Sequence, residues 1–143
     1  MKKIKGINVN EKDKEGWTAL HVACNEGNYK ICEYLMERGG YVMSLNSSFA
    51  LPIHYLVRIT PESEGVWAEL HSVLQKMLQH GTDVNAIDRY ERNSLFFACT
   101  RARYPSTIDF LLNQQADINA SLTYALLHLF PLQFSFFSLF LSI

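Results

Sequence analysis

One stretch limits what this chain can become. Residues 16–39 read as a tight turn, a short apolar-faced segment, a break at Gly27-Asn28 and a second amphipathic segment halted at Gly39. That is a helix–turn–helix unit. Its features return further along, and His21 and His54 lie 33 residues apart. A single unit of this size has an apolar face it cannot bury alone, so copies must stack on one another.

The copies can be followed by their ends and by their faces. Gly6-Ile7-Asn8-Val9-Asn10 aligns with Gly39-Gly40-Tyr41-Val42-Met43, with Gly81-Thr82-Asp83-Val84-Asn85 and with Gln115-Ala116-Asp117-Ile118-Asn119. In each, a glycine or polar residue ends a helix and a short β-type turn follows. First helices start at Thr18-Ala19-Leu20-His21, Leu51-Pro52-Ile53-His54 and Asn93-Ser94-Leu95-Phe96. Second helices carry Ile31, Cys32, Leu35 and Met36, then Val73, Leu74, Met77 and Leu78, then Ile108, Leu111 and Leu112. This helical spacing predicts an inward stripe.

The pattern resembles the ankyrin repeat family, roughly D-x-x-G-x-T-P-L-H-x-A, a break at glycine, then L-L-x-x-G-A-D-V-N. Asp13, Gly16, Thr18, Leu20, His21, Ala23, Gly27, Leu35 and Gly39 match it in the first unit. The second unit has Asn46 at the Asp position, Phe49 at the Gly, and Pro52, Ile53 and His54 at the helix start. The third keeps Asp88 but has Glu91 for the Gly, Asn93 for the Thr and Phe96 for the His. The resemblance covers about residues 6–120. It implies an all-α, ankyrin-type helical-repeat solenoid with short β-turn tips.

The expected organisation is the end of a partial repeat over residues 1–12, three repeats over 13–120 and an uncharged hydrophobic tail over 121–143. The second unit is nine residues longer than the first, around 59–67. Thr60, Pro61 and Glu62 resemble a helix start, so the extra residues are expected to lengthen the second helix, with Trp67, Leu70, Leu74 and Met77 on one face. The third unit gains one residue near Ala102-Arg103-Tyr104-Pro105. The tail leaves three readings open: a membrane anchor, a cover over the last repeat, or an end not selected for this fold. Pro131 and the lack of flanking Lys or Arg count against the anchor.

Composition narrows the chemistry. The net charge of −1 gives no electrostatic reason to expect nucleic acid. Cys24, Cys32 and Cys99 form no C-x-x-C, which suits reduced thiols in the cytoplasm or nucleus. Cys24 and Cys99, just after the helix-start alanines, are expected in the core. His21 and His54 hold the helix-start position of the family resembled, and the resemblance implies that they bond backbone of the adjoining turns; His71 and His80 are expected to be exposed. No nucleophile elbow, phosphate loop or metal-ligand spacing stands out. The expectation is a non-enzyme without cofactor or metal.

In the family so resembled, partners are bound by the turn tips and first helices. Carried over, that surface comprises Lys14, Glu15, Trp17, Asn25 and Glu26, then Ser48 and Arg58, then Arg89, Tyr90, Arg92 and Arg101. Trp, Tyr and Arg are the usual anchors of binding energy. Trp17 should point outward or pack on residues 47–50, and residues 88–92 also read as a solvated turn with weak local ion pairs. The expected function is protein–protein recognition with an unnamed protein partner. The alternatives are a membrane-tethered adaptor using residues 122–143, and a piece of a larger signalling protein or enzyme.

Overall fold

The computed structural model describes residues 6–119, and the hydrophobic tail, with its three readings, lies outside them. Among the described residues the helices α1 (Ala19–Asn25), α2 (Tyr29–Glu37), α3 (Pro52–Leu56), α4 (Glu64–Gln79), α5 (Ser94–Phe97) and α6 (Pro105–Asn113) follow in order. A π-helical turn, Ala98–Ala102, continues α5. The described residues contain no strand. First helices α1, α3 and α5 pack side by side, and α2 packs on α4 behind them. No helix among the described residues is long and apolar enough to cross a membrane.

The tips between units repeat one hydrogen-bonding device. Asp13 Oδ1 accepts the N–H groups of Glu15 and Trp17, at 2.9 and 2.8 Å. Asn46 Oδ1 accepts those of Ser48 and Ala50, at 3.0 and 3.1 Å. Asp88 Oδ1 accepts those of Tyr90 and Arg92, at 2.9 and 3.0 Å. Short side chains of this type shape a turn by bonding backbone just ahead of them. The fourth residue of each turn is left-handed: Gly16 at φ 78°, Phe49 at 55° and Glu91 at 58°. Glycine adopts this freely, whereas a residue with a Cβ is strained there by about 1–2 kcal/mol. Neighbouring tips are joined by Ser47 N–H to Glu15 C=O and Arg89 N–H to Ser48 C=O, both 2.8 Å.

Second helices end alike. The N–H of Gly40 bonds Leu35 C=O, that of Thr82 bonds Met77 C=O and that of Ala116 bonds Leu111 C=O, at 2.8, 3.0 and 3.1 Å. Gly39, Gly81 and Gln115 supply the left-handed residue that lets the chain turn back and satisfy these carbonyls. The last three aligned segments thus share a geometry although the final one lacks glycine.

A further set of bonds ties successive hairpins. Asn10 Oδ1 accepts the Tyr41 N–H at 2.7 Å, and its amide donates to Gly39 C=O at 2.9 Å. Asn85 repeats this with the Asp117 N–H at 2.6 Å and Gln115 C=O at 3.2 Å. Between them the equivalent residue is Met43. Its thioether accepts the Asp83 N–H at 3.4 Å and has no donor to offer in return.

The inward stripes of the second helices are narrower than the spacing suggests. Cys32, Met36, Val73, Leu74, Met77 and Leu111 are buried, but Ile31 and Leu112 are exposed. Each sits one residue off its buried row, about 100° around the helix, and so leaves the apolar face.

Both length changes have structural counterparts. Helix α4 has 16 residues where α2 and α6 have nine, so much of the extra sequence is helix. Its start lies later than Thr60-Pro61-Glu62 suggests. Ser63 is the N-cap and accepts the Val66 N–H at 3.3 Å. Thr60 instead donates its hydroxyl to Ala102 C=O in the third unit, at 2.9 Å, and Pro61 is buried. The extra residue of the third unit is taken up in the π-helical turn, which closes with Arg103 left-handed at φ 51° and its N–H on Ala98 C=O. A π turn is a common way for a helix to accommodate one residue more. Cys99 lies in it and is exposed, contrary to its expected core position, while Cys24 is fully buried 3.7 Å from Cys32 Sγ.

Candidate protein-binding surface

Two histidines fasten the first helices to the neighbouring unit. His21 Nδ1 accepts the Thr18 N–H at 3.2 Å, and Nε2 donates to Ala50 C=O at 3.1 Å. His54 Nδ1 accepts the Leu51 N–H at 3.1 Å, and Nε2 donates to Ala86 C=O at 2.9 Å. An N–H pointing at Nδ1 requires a lone pair there, so both rings are neutral with the proton on Nε2. Burial lowers both pKa values, outweighing the carbonyl bonds that favour protonation. In the third unit Phe96 cannot do this, and the cap residue takes over. Asn93 Oδ1 accepts the Phe96 N–H at 3.0 Å while its amide donates to Asp117 C=O at 2.9 Å.

Held in this way, α1, α3 and α5 present Val22, Tyr55 and Phe97 at one register position. Val22 is half exposed, Tyr55 half buried and Phe97 buried. Trp17 reaches across from the first tip, its ring centroid 4.5 Å from Tyr55 and 5.8 Å from His21. Its ring partners are therefore Tyr55 on α3 and His21 on α1. Tyr55 is anchored in turn by Asn46, whose amide donates to its hydroxyl at 2.7 Å.

Arginines lie over these aromatic faces. The Arg58 guanidinium is 5.6 Å from the Tyr55 ring and 5.8 Å from the Phe97 ring. Arg92 is 4.8 Å from Phe97 and 4.7 Å from Tyr90, and Arg89 is 5.3 Å from Phe49. Such cation–π contacts hold a guanidinium in place without neutralising it. Arg92 is also paired with Asp88, Nε to Oδ2 at 2.8 Å and an Nη to Oδ2 at 2.6 Å. The Asp88 side chain is 1% exposed, so its pair with Arg92 is not a loose surface ion pair, although Arg89, Tyr90 and Glu91 between them are exposed to solvent. Arg92 serves the fold first and the surface second.

Of the other residues expected on the surface, Lys14, Glu15, Arg89, Tyr90 and Arg101 are exposed at the tips and π turn. Asn25 and Glu26 are exposed at the end of α1, where the Asn25 amide bonds Glu26 Oε1 at 3.1 Å. Ser48 is half buried on the second tip. The structure brings Ser48, Arg58, Arg92 and Arg101 to one pocket of about 240 Å³, and leaves Lys14, Glu15, Asn25 and Glu26 outside it. Ala50, His54, Tyr55, Asp88 and Phe97 complete the pocket. Sequence reasoning did not place Tyr55 or Phe97 on this surface, although their register with Val22 was available in the repeat spacing. Trp67 and His71, by contrast, belong to the back of the array. They pack with Tyr104 and Phe110, and His71 is half buried rather than exposed.

Comparison with known proteins agrees with this geometry. The family model described as ankyrin repeats (three copies) matches residues 1–58. The chain carries ankyrin repeats. The nuclear factor NF-kappa-B p105 subunit of Gallus gallus is 30% identical over 119 residues, covering 81% of this chain and 11% of that protein. Protein phosphatase 1 regulatory subunit 27 of Homo sapiens is 36% identical over 47 residues, or 33% of this chain and 30% of that protein. The SMC5-SMC6 complex localization factor protein 1 of Mus musculus is 46% identical over 35 residues, 24% of this chain and 3% of that protein. The matched stretches are thus under a third of each of these relatives. Ankyrin repeats are protein–protein interaction modules, and two of these relatives carry names denoting subunits of larger assemblies.

Proposed function

We propose that this chain is a non-catalytic recognition module that binds a protein partner with its turn tips and the outward face of α1, α3 and α5. The reading rests above all on the strip formed by Trp17, Tyr55, Arg58, Phe97, Arg92 and Tyr90. It crosses all three units and combines aromatic and guanidinium groups, the chemistry that concentrates binding energy at interfaces. His21 and His54, the side chains best suited to proton transfer, are occupied with backbone bonds. Three free cysteines suit an interior compartment, cytoplasm or nucleus.

The test is affinity capture from cell lysate with the full chain as bait. Tyr90→Ala combined with Arg89→Ala removes exposed tip groups that the core does not need. That variant should lose the proteins captured by the parent, while Lys30→Ala with Tyr34→Ala, on α2, should retain them. Retention by the tip variant together with loss by the α2 variant would place recognition on the other side of the array.

A further inference from the structure

The pocket between α3, the third tip and the π turn has a charge imbalance that the chain leaves standing. Three guanidinium groups line it, those of Arg58, Arg92 and Arg101, against one carboxylate, Asp88. That carboxylate is fully engaged: Oδ1 accepts two backbone N–H groups and Oδ2 accepts the Arg92 fork. Among the described residues the ion pairs are Arg92–Asp88 and Lys76–Glu33, so Arg58 and Arg101 have no carboxylate partner there. The positive charge is local, because the chain as a whole carries −1.

Arg58 is more than a surface cation. It is half buried, seated over the Tyr55 and Phe97 rings, and has lost part of its hydration. Burial lowers its pKa first, and the nearby charge of Arg101 lowers it further. An arginine stays ionised under such pressure, so the cost remains in the free chain until an anion relieves it. The aromatic walls also limit screening by water, which strengthens the field an incoming anion meets. We propose that this pocket binds carboxylate side chains of an acidic peptide segment in the partner, with Arg58 and Arg101 as its two receiving guanidinium groups. The proposal rests on the recognition reading above. Because Arg58 lies in the turn that follows α3 and Arg101 in the π turn of the next unit, two separate monoanions on an extended chain suit them better than one compact anion. Bidentate pairing of each with a carboxylate supplies both strength and direction.

The experiment is fluorescence anisotropy of the full chain with a fluorescein-labelled peptide of alternating Glu and Gly. Lys-Gly and phosphoserine-Gly peptides of equal length serve as comparisons. The Glu-Gly peptide should bind, weaken with added salt, and outcompete the Lys-Gly peptide. Arg58→Gln with Arg101→Gln should weaken it by at least about tenfold, and Lys30→Gln on α2 should leave it unchanged. Arg101 is exposed, so Arg101→Gln alone should lower affinity about threefold with an unaltered thermal melt. That single variant decides the matter if the double variant unfolds. Unchanged affinity in Arg101→Gln, or equal loss in Lys30→Gln, overturns the proposal. Binding of the phosphoserine peptide with none of the Glu peptide overturns the carboxylate assignment. Should the Glu peptide fail while Tyr90→Ala with Arg89→Ala still loses captured partners, the recognition surface stands and only its acidic ligand falls.

Discussion

The first and third units solve one problem with different residues. In the first, Thr18 caps α1, and His21 ties the unit to Ala50 of the next. In the third, Phe96 fills the histidine position, and Asn93 both caps α5 and reaches Asp117. The first turn uses glycine at its left-handed residue; the third forces Glu91 into that conformation. The third unit also absorbs an extra residue as a π turn. What is preserved between them is the set of backbone groups that must be satisfied, and the side chains that satisfy them are exchangeable as sets, not one by one.

The sharpest way to break the comparison is to give the second unit the third unit's phenylalanine without its asparagine. His54→Phe leaves Leu51 N–H and Ala86 C=O without their ring partners. It should cost about 2–3 kcal/mol, read as a lower urea midpoint with the slope unchanged. A midpoint within error of the parent would mean the histidine bonds are not what joins the units. Acid tests the same bonds more gently. Folding depresses the His21 and His54 pKa values, so the unfolded chain takes up protons that the folded chain refuses. Their contribution is complete above the ordinary histidine value of about 6.5, and declines as pH falls below it towards the folded values. Urea midpoints at descending pH should fall through that window, and His54→Phe should flatten the decline.

The reciprocal exchange tests the third unit. Asn93→Thr removes the reach to Asp117 and should cost about 1–2 kcal/mol. Adding Phe96→His should recover part of that loss, with a coupling of about 1 kcal/mol in a double-mutant cycle. Strict additivity would show that the two positions are independent. The smallest expected effect lies at the tips. Phe49→Gly and Glu91→Gly relieve left-handed strain, and each should raise stability by up to about 1 kcal/mol in thermal melts. For Phe49 part of the gain is offset by its lost contact with Arg89.

These exchanges also explain how far the sequence could be read. The repeat spacing located the helix pairs and hairpins because Asp13, Asn46 and Asp88 all begin the same turn. The backbone role of His21 and His54 came instead from the family resemblance at the helix-start position. Sequence reasoning misplaced the start of α4, because Thr60-Pro61-Glu62 satisfies the local rules for a cap, while the Thr60 hydroxyl is drawn to Ala102, 42 residues away. It put Cys99 in the core by register with Cys24, and a π turn changes which way each residue faces. It offered Trp17 an outward position or packing on residues 47–50, and did not single out Tyr55, whose ring it meets on α3. The pairing of Asp88 with Arg92 was visible as spacing, but the burial of Asp88 and the seating of Arg92 over Phe97 were not. Periodicity reports what each unit repeats; the proposed binding surface arises from what each unit does differently.

The row of bonds between hairpins carries a mechanical consequence. Asn10 and Asn85 each clasp the next hairpin by two hydrogen bonds, one given and one received. Met43 grips it by a single N–H to a large, soft sulfur. A chain of clasps under load opens where one of them is only a hook. Bending or tension along the array should therefore concentrate at the edge between Met43 and Asp83. The outer hairpins would keep their shape while that joint flexes, altering the angle at which neighbouring tips meet a partner.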